Sequence, residues 1–335
     1  MNYFTVNSTM SEVFSREEFR PFAKYLMYSP APFGGSEEGG FENSPISGVK
    51  EIGWSPEGIV SGLNFLLDVL QDDRFCQYFI YNEDACKEDA QKADVNLIHI
   101  LPKNVKKDHK PVPYILLSAG GGYNAVCTMV ESLPTARHFS EAGFQVFLLT
   151  YRVGKPGIAP KALDDLASSI KYIRDHKDEL HVDPACYAVG GFSAGANLIS
   201  NFGTGNIGWK HYGLTKPLCL FPVYTFIDLK RESERDEKVG LLPFMFGEDF
   251  MSYLPDYNVA DHVDEDYPPC YIVVGKDDNT VPPVNSELLK ELLEKIGTPV
   301  VLDEGNRAPH GFGDGTGTDV EGWPERAIAF IEDLL

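Results

Sequence analysis

No stretch of this 335-residue chain approaches the roughly 18 apolar residues that a membrane-spanning helix requires. Met1 to Ser11 has neither the basic start nor the continuous apolar stretch of a secretory signal, so the chain reads as soluble and cytoplasmic, with no membrane partner. Positive charge is also scarce. Lys and Arg total 29 against 50 Asp and Glu, a formal net charge of -21. A phosphate backbone or an anionic lipid surface would be repelled, which excludes nucleic acid as a partner and leaves the acidic surface a solubilising role. The six cysteines (Cys76, Cys86, Cys127, Cys186, Cys219, Cys270) contain no C-x-x-C pair, and several lie in apolar runs. They are expected to be buried thiols, neither bridged nor metal-bound. His99, His109, His138, His176 and His181 show no metal-ligand spacing such as H-E-x-x-H, and no cofactor is implied. Internal repeats and low-complexity tracts are absent.

What is present is an ordinary globular composition, 43% hydrophobic and 24% charged, long enough for a sizeable core. From residue 95 onward short apolar runs alternate with amphipathic stretches, the pattern of βαβ units and a mostly parallel sheet. Strands are expected over 96–101, 114–118, 145–150, 186–190, 217–222, 270–274 and 299–302, and several are nearly all apolar, as strands covered on both faces must be. Helices are expected over 134–142, 160–176, 194–202 and 284–296, with 323–335 closing the chain. Upstream, 76–81 suits an outer strand, and 17–27 and 62–70 carry apolar residues at helical spacing. Residues 29–48, rich in Pro, Gly, Ser and Glu, read as a long loop that is either mobile or shaped around an active-site mouth. A second irregular region, about 225–263, interrupts the alternation with a charge run and then an aromatic stretch. It suits an inserted lid or pocket wall, although its Phe244, Phe246, Phe250 and Tyr253 read more readily as core. The division expected is an N-terminal, cap-like extension over 1–92 packed on a catalytic domain over 93–335.

The most specific motif is Gly191-Phe192-Ser193-Ala194-Gly195, after an apolar strand and opening a helix. That is the setting of a nucleophile elbow, where flanking glycines allow a turn so tight that side chains would clash. Ser193 would stand exposed in a strained conformation at a helix N-terminus, where developing negative charge is stabilised. Upstream, Ser118-Ala119-Gly120-Gly121-Gly122-Tyr123 ends the strand that starts at Tyr114. Its glycines suit an oxyanion hole formed by the N–H groups of Gly121 and Gly122 together with that of Ala194, a plain turn being the alternative. The order nucleophile, acid, histidine that accompanies such an elbow leaves His211, His262 and His310 as candidate bases. His310 follows the last expected strand, in Pro309-His310-Gly311-Phe312, whereas His211 and His262 read as surface residues. The acid should end the preceding strand. Asp277 and Asp278 both qualify, and Asp278 is chosen for its Asp-x-x-Val-Pro spacing, with Asp277 capping the loop or facing solvent. An Arg152 to Asp165 pair is expected to brace the elbow structurally.

Over about 95–335 these motifs, with Thr150-Tyr151-Arg152 and Ala162-Leu163-Asp164-Asp165, resemble the esterase/lipase branch of the α/β-hydrolase superfamily, in particular bacterial acetyl-esterase and xylan-esterase-like enzymes. Ala119 departs from the hormone-sensitive-lipase-like pattern, which has His before the three glycines, and favours the acetyl-esterase-like relatives. Residues up to about Lys92 match no motif of that family. The resemblance implies an α/β fold of the hydrolase type and a cofactor-free serine esterase in which Ser193, His310 and Asp278 act in acyl transfer. The substrate it implies is a small-molecule ester, with short acyl groups on a carbohydrate or small alcohol as the expectation. Tyr123 and Phe192 would border the pocket. A peptidase or lactonase on the same triad, or a binding protein without turnover, are the rival readings, and a homo-oligomer stays open.

Overall fold

The computed structural model describes residues 2–30, 43–103, 112–235 and 240–335. Eight strands form one sheet: β1 (Phe75–Phe79), β2 (Asn96–Ile100), β3 (Val112–Ser118), β4 (Gln145–Thr150), β5 (Val182–Phe192), β6 (Cys219–Val223), β7 (Cys270–Gly275) and β8 (Val300–Gly305). Their order is β1-β2-β4-β3-β5-β6-β7-β8. The first two pairings, β1 with β2 and β2 with β4, are antiparallel and the remainder are parallel. β2, β4, β6 and β7 are buried along their whole length, which is why their sequences are apolar runs without alternation.

Register sets where chemistry can occur. Ser118 of β3 pairs with Gly191 of β5, Phe192 with Val223 of β6, and Val223 with Val273 of β7. The carboxyl ends of the parallel strands are thereby brought to one edge, where ligands bind in open α/β sheets. Helices Ser132–Glu141, Ala159–Asp175, Ala194–Gly203 and Val284–Ile296 connect successive strands, and Trp323–Leu334 follows the last. Among the described residues no helix is long and apolar enough to cross a membrane.

The N-terminal part is built onto this sheet. The helix Pro56–Gln71 starts from the Ser55 side-chain cap with proline in its first turn, and it packs on Ser132–Glu141 so closely that a Cβ at Gly62 would lie 2.9 Å from the Pro134 nitrogen. The helical spacing over 17–27 does not become a helix. Only the 3₁₀ turns Glu17–Phe19 and Ala23–Tyr25 form, because Pro21 has no N–H to continue a helical ladder. The long loop expected over 29–48 lies partly outside the described residues (31–42), and its end is not irregular, since Ile46–Ile52 is a 3₁₀ helix. The region after β6 breaks into short helices, among them Leu229–Arg235, Leu241–Phe246 and Leu254–Tyr257, while 236–239 of its charge run lie outside the described residues. Phe246 stacks on Tyr253 at 5.2 Å and meets Tyr257 edge-on at 5.0 Å, so the aromatics of this region pack on one another. All six cysteines are free, but only Cys127, Cys219 and Cys270 are buried. Cys76, Cys86 and Cys186 are half-buried, Cys76 in the part-exposed β1 and Cys186 in the part-exposed first half of β5.

Arg152 and Asp165 do pair, though not against the elbow. Arg152 Nε donates to both Asp165 oxygens at 3.0 Å, its backbone N–H donates to Oδ2 at 2.8 Å, and Nη1 donates to Asp89 at 2.9 Å. Tyr81 adds its hydroxyl to Asp165 at 2.7 Å. The pair therefore rivets the 81–89 segment to the helix Ala159–Asp175. Removing one partner of a buried pair strands the other charge, so Arg152→Met should lower stability by about 3–5 kcal/mol, read as a shift in the urea unfolding midpoint.

A second tie joins three elements through His138. Its Nδ1 bonds Glu325 of the last helix and its Nε2 lies 3.3 Å from buried Asp314, with Arg137 close by. Burial opposes protonation and Arg137 adds to that, but the two carboxylates win and hold the imidazole pKa above its ordinary value, while the same contact holds Asp314 below its own. A raised histidine pKa contributes stability that is complete below about pH 6.5 and is lost as pH rises through the folded-state value. Asp314, being lowered, loses its contribution only below the usual carboxylate range. The difference in melting temperature between wild type and His138→Gln should therefore be largest near pH 5.5 and shrink steadily toward pH 8.5.

Candidate active site

β5 ends in the turn that carries Ser193. Ser193 has φ 51° and ψ -116°, a strained backbone for a residue with a Cβ, and it immediately precedes the helix Ala194–Gly203. Crowding explains the glycines around it. A Cβ at Gly195 would stand 2.1 Å from the Ser118 carbonyl oxygen, and one at Gly191 would stand 2.2 Å from that of Gly195. The Ser193 N–H is held by the Val223 carbonyl of β6 at 3.0 Å, which fixes the turn from the other side.

His310 lies in the loop after β8. Its Nε2 is 2.9 Å from Ser193 Oγ, and its Nδ1 is 2.7 Å from Asp278 Oδ2. Asp278, 5% exposed, accepts the Thr280 and Val281 N–H groups on its other oxygen at 2.9 and 2.8 Å. The carboxylate is thus held by backbone on one oxygen and free to orient the imidazole with the other. Asp277 is exposed and caps the histidine loop, accepting the Ala308 N–H at 2.8 Å. Neither His211, which is exposed, nor His262, which bonds the Pro255 carbonyl, reaches this cluster.

The loop after β3 lies against the same turn. A Cβ at Gly120 would be 2.7 Å from Ser193 Cβ, so this loop and the elbow are in contact through backbone. Gly121 and Gly122 have φ of 128° and 61°, conformations that favour glycine. The N–H groups of Gly121, Gly122 and Ala194 find no acceptor among the described residues. Tyr123 and Phe192 are both buried. Tyr123 donates its hydroxyl to Asn197 at 2.8 Å, and Phe192 packs on Trp323 and Tyr224. Phe192 is therefore core beneath the elbow and does not stand in an open pocket.

Several residues at the site were not singled out from the sequence. Glu131, 4% exposed, accepts the Gly120 N–H on one oxygen and the Tyr224 hydroxyl on the other, the latter at 2.9 Å. Tyr224 lies one residue past β6 with φ 42°, and its ring centroid is 4.7 Å from the His310 imidazole. Tyr151, named from the sequence only as part of Thr150-Tyr151-Arg152, ties the Ala119 carbonyl with its hydroxyl at 2.7 Å. From the N-terminal part, Gly53 and Trp54 back the histidine loop. A Cβ at Gly53 would be 3.2 Å from the His310 carbonyl oxygen, and one at Gly311 would be 2.7 Å from the Trp54 indole. A signal for Glu131 did exist, since it is the one charged residue in the apolar stretch 125–133.

Residues 100–216 match the BD-FAE family model. By sequence the chain is 23% identical over 224 residues to endo-1,4-beta-xylanase B of Butyrivibrio fibrisolvens, a match that covers 62% of this chain and 34% of that protein. It is 24% identical over 214 residues to the probable carboxylic ester hydrolase LipM of Mycobacterium tuberculosis, covering 60% of this chain and 49% of that one. The chain thus spans between a third and a half of the length of these curated relatives. Among solved structures it superposes on an acetyl ester-xyloside bifunctional hydrolase from Caldicellulosiruptor lactoaceticus with TM-score 0.64 and 24% identity, covering 78% of this chain and 97% of that one. A butyrate-bound esterase, Est2, of Thermogutta terrifontis gives TM-score 0.62 at 21% identity, covering 79% and 95% of the two chains. MGS-M1, an alpha/beta hydrolase from a deep-sea metagenome library, gives 0.60 at 22%, covering 78% and 97%. The chain accordingly has the α/β-hydrolase fold, with a BD-FAE match running from the end of β2 to just beyond the elbow helix.

Proposed function

We propose that the protein is a serine carboxylesterase that hydrolyses short-chain, acetyl-type esters, O-acetylated carbohydrates among them. The observation that carries the reading is the continuous relay from Ser193 Oγ to His310 at 2.9 Å and on to Asp278 at 2.7 Å, beside three backbone amides that find no acceptor among the described residues. In this reading Ser193 Oγ attacks the ester carbonyl as His310 Nε2 takes its proton, and Asp278 holds the tautomer that leaves Nε2 free to accept. The carbonyl oxygen becomes an oxyanion that collects the N–H groups of Gly121, Gly122 and Ala194, each such donor contributing about 10²- to 10³-fold in rate. His310 then protonates the departing alcohol, and water activated by the same imidazole releases the acid from the acyl-enzyme.

The substrate class rests on likeness. One structural neighbour is an acetyl ester-xyloside bifunctional hydrolase, another a truncated carbohydrate esterase from gut microbiota, and Est2 was solved with butyrate and with propionate. Residues 1–92 serve in this reading as an extension packed on the catalytic domain, buttressing the histidine loop through Gly53 and Trp54.

Ser193→Ala and His310→Ala should each lower kcat by about 10⁴- to 10⁶-fold without unfolding the protein, and Asp278→Asn should cost somewhat less. Asp277→Asn should leave kcat within a few-fold, and a larger loss there than at Asp278 would overturn the choice of acid. Hydrolysis of p-nitrophenyl acetate, butyrate and octanoate, with acetylated xylo-oligosaccharides alongside, tests the substrate class. Turnover that depends on Ser193 and falls with acyl length is expected. Turnover of aminoacyl anilides or lactones with none of any ester would replace the reading by a peptidase or lactonase.

A further inference from the structure

Glu131 is a carboxylate sealed inside the protein at the centre of the site, and the acyl-transfer steps above do not use it. It immediately precedes the helix Ser132–Glu141, and its two oxygens serve different structures. Oε2 accepts the N–H of Gly120, the residue before the two proposed oxyanion donors. Oε1 accepts the hydroxyl of Tyr224, whose ring lies against His310 at 4.7 Å and meets Phe312 edge-on at 4.7 Å.

We propose that Glu131 is a positioning residue that sets the oxyanion loop and the general base in register with each other through one carboxylate. The inference rests on the reading of Ser193, His310 and the loop amides as an esterase site. A carboxylate suits the task because two donors converge on it, and each of its oxygens accepts one. An amide offers a single acceptor oxygen, so one of the two donors would face an NH₂ group. Gly120 itself cannot be replaced as the loop's anchor, since any Cβ there would collide with the Phe192 carbonyl and with Ser193. The loop is held by the Ala119 carbonyl on Tyr151, by the Gly120 carbonyl on the Cys127 N–H at 2.9 Å, and by the Gly120 N–H on Glu131, and of these three ties the last is the one that also reaches the base through Tyr224.

The same arrangement bears on the charge that develops during catalysis. The titratable groups around Glu131 are Cys127, Tyr151, Tyr224 and His310. Burial pushes the Cys127 thiol and both phenols well up, so none of them supplies a charge there. Burial outweighs the Gly120 and Tyr224 hydrogen bonds and the nearby imidazole, and holds the Glu131 carboxyl above its ordinary value as well. His310 is faced by Asp278, Ser193, Tyr224 and, more remotely, Glu131. Glu131 thus reaches His310 through the Tyr224 ring.

Glu131→Gln, assayed in the full-length protein beside Ser193→Ala, tests this. The expected result is a kcat about 10- to 100-fold lower with KM within about twofold, and an equal loss of affinity for a boronic acid that mimics the tetrahedral intermediate. Tyr224→Phe removes a single hydroxyl and keeps the ring, so it serves if the glutamine variant does not fold. It should lower kcat and boronate affinity together, by about 3- to 10-fold. Wild-type kcat and boronate affinity in folded Glu131→Gln, or wild-type kcat in Tyr224→Phe, would overturn the proposal. So would a loss expressed only in KM or in melting temperature. Turnover that survives Ser193→Ala would instead overturn the site reading on which the proposal stands.

Discussion

Backbone crowding between β3 and the turn after β5 governs the rest of the architecture. With 2.1 Å between a Cβ at position 195 and the Ser118 carbonyl oxygen, and 2.7 Å between one at position 120 and Ser193, three segments meet where no side chain fits. That closeness is what lets a nucleophile, a loop of amides and a helix N-terminus share a few ångströms. It also accounts for the strained φ of Ser193, which surrounding structure over-determines: the Val223 carbonyl holds its N–H and its own carbonyl accepts the N–H of Asn197. Everything further out serves to keep these segments pressed together.

The N-terminal part does so from two directions. Tyr28 and Val126 exchange backbone hydrogen bonds at 3.0 and 2.8 Å, which pins the segment just after the glycine loop. Gly53 and Trp54 meet the backbone of His310 and Gly311 on the other flank. The segments carrying Ser193, His310 and the glycine loop are thus held by neighbours distant in the chain, and the candidate site is clamped as well as assembled.

How much of this the sequence disclosed follows from the kind of constraint involved. Strands β2, β4, β6 and β7 were legible because full burial leaves apolar runs, β3, β5 and the half-exposed β8 from their shorter apolar stretches, and the cores were located even where ends moved by a few residues. The elbow and the loop at 119–122 were legible because close approach leaves glycine, and the structure draws Ser193, Asp278 and His310 into one hydrogen-bonded row. The failures are equally physical. Apolar spacing over 17–27 signalled burial, which is real, since Phe19, Tyr25 and Leu26 are in the core, but Pro21 denies those residues a helix. Arg152 and Asp165 found each other, yet their further partners Asp89 and Tyr81 come from a segment that carried no motif, and so the direction of the brace was misread. Glu131 announces its burial by its apolar neighbours, but a single sequence does not say which donors it meets. Tyr224 looks like any residue leaving a strand.

The distance along the chain between the parts of the clamp has a consequence for biosynthesis. Gly53 rests on the carbonyl of His310, and Phe192 packs on Trp323. Contacts of such sequence separation form late and slowly, because loop closure must precede any reward from packing. On the ribosome the elbow and the glycine loop emerge well before the histidine loop that completes them. Under the proposed esterase reading, a nascent chain therefore presents its serine turn before the histidine loop that would complete the relay has been made.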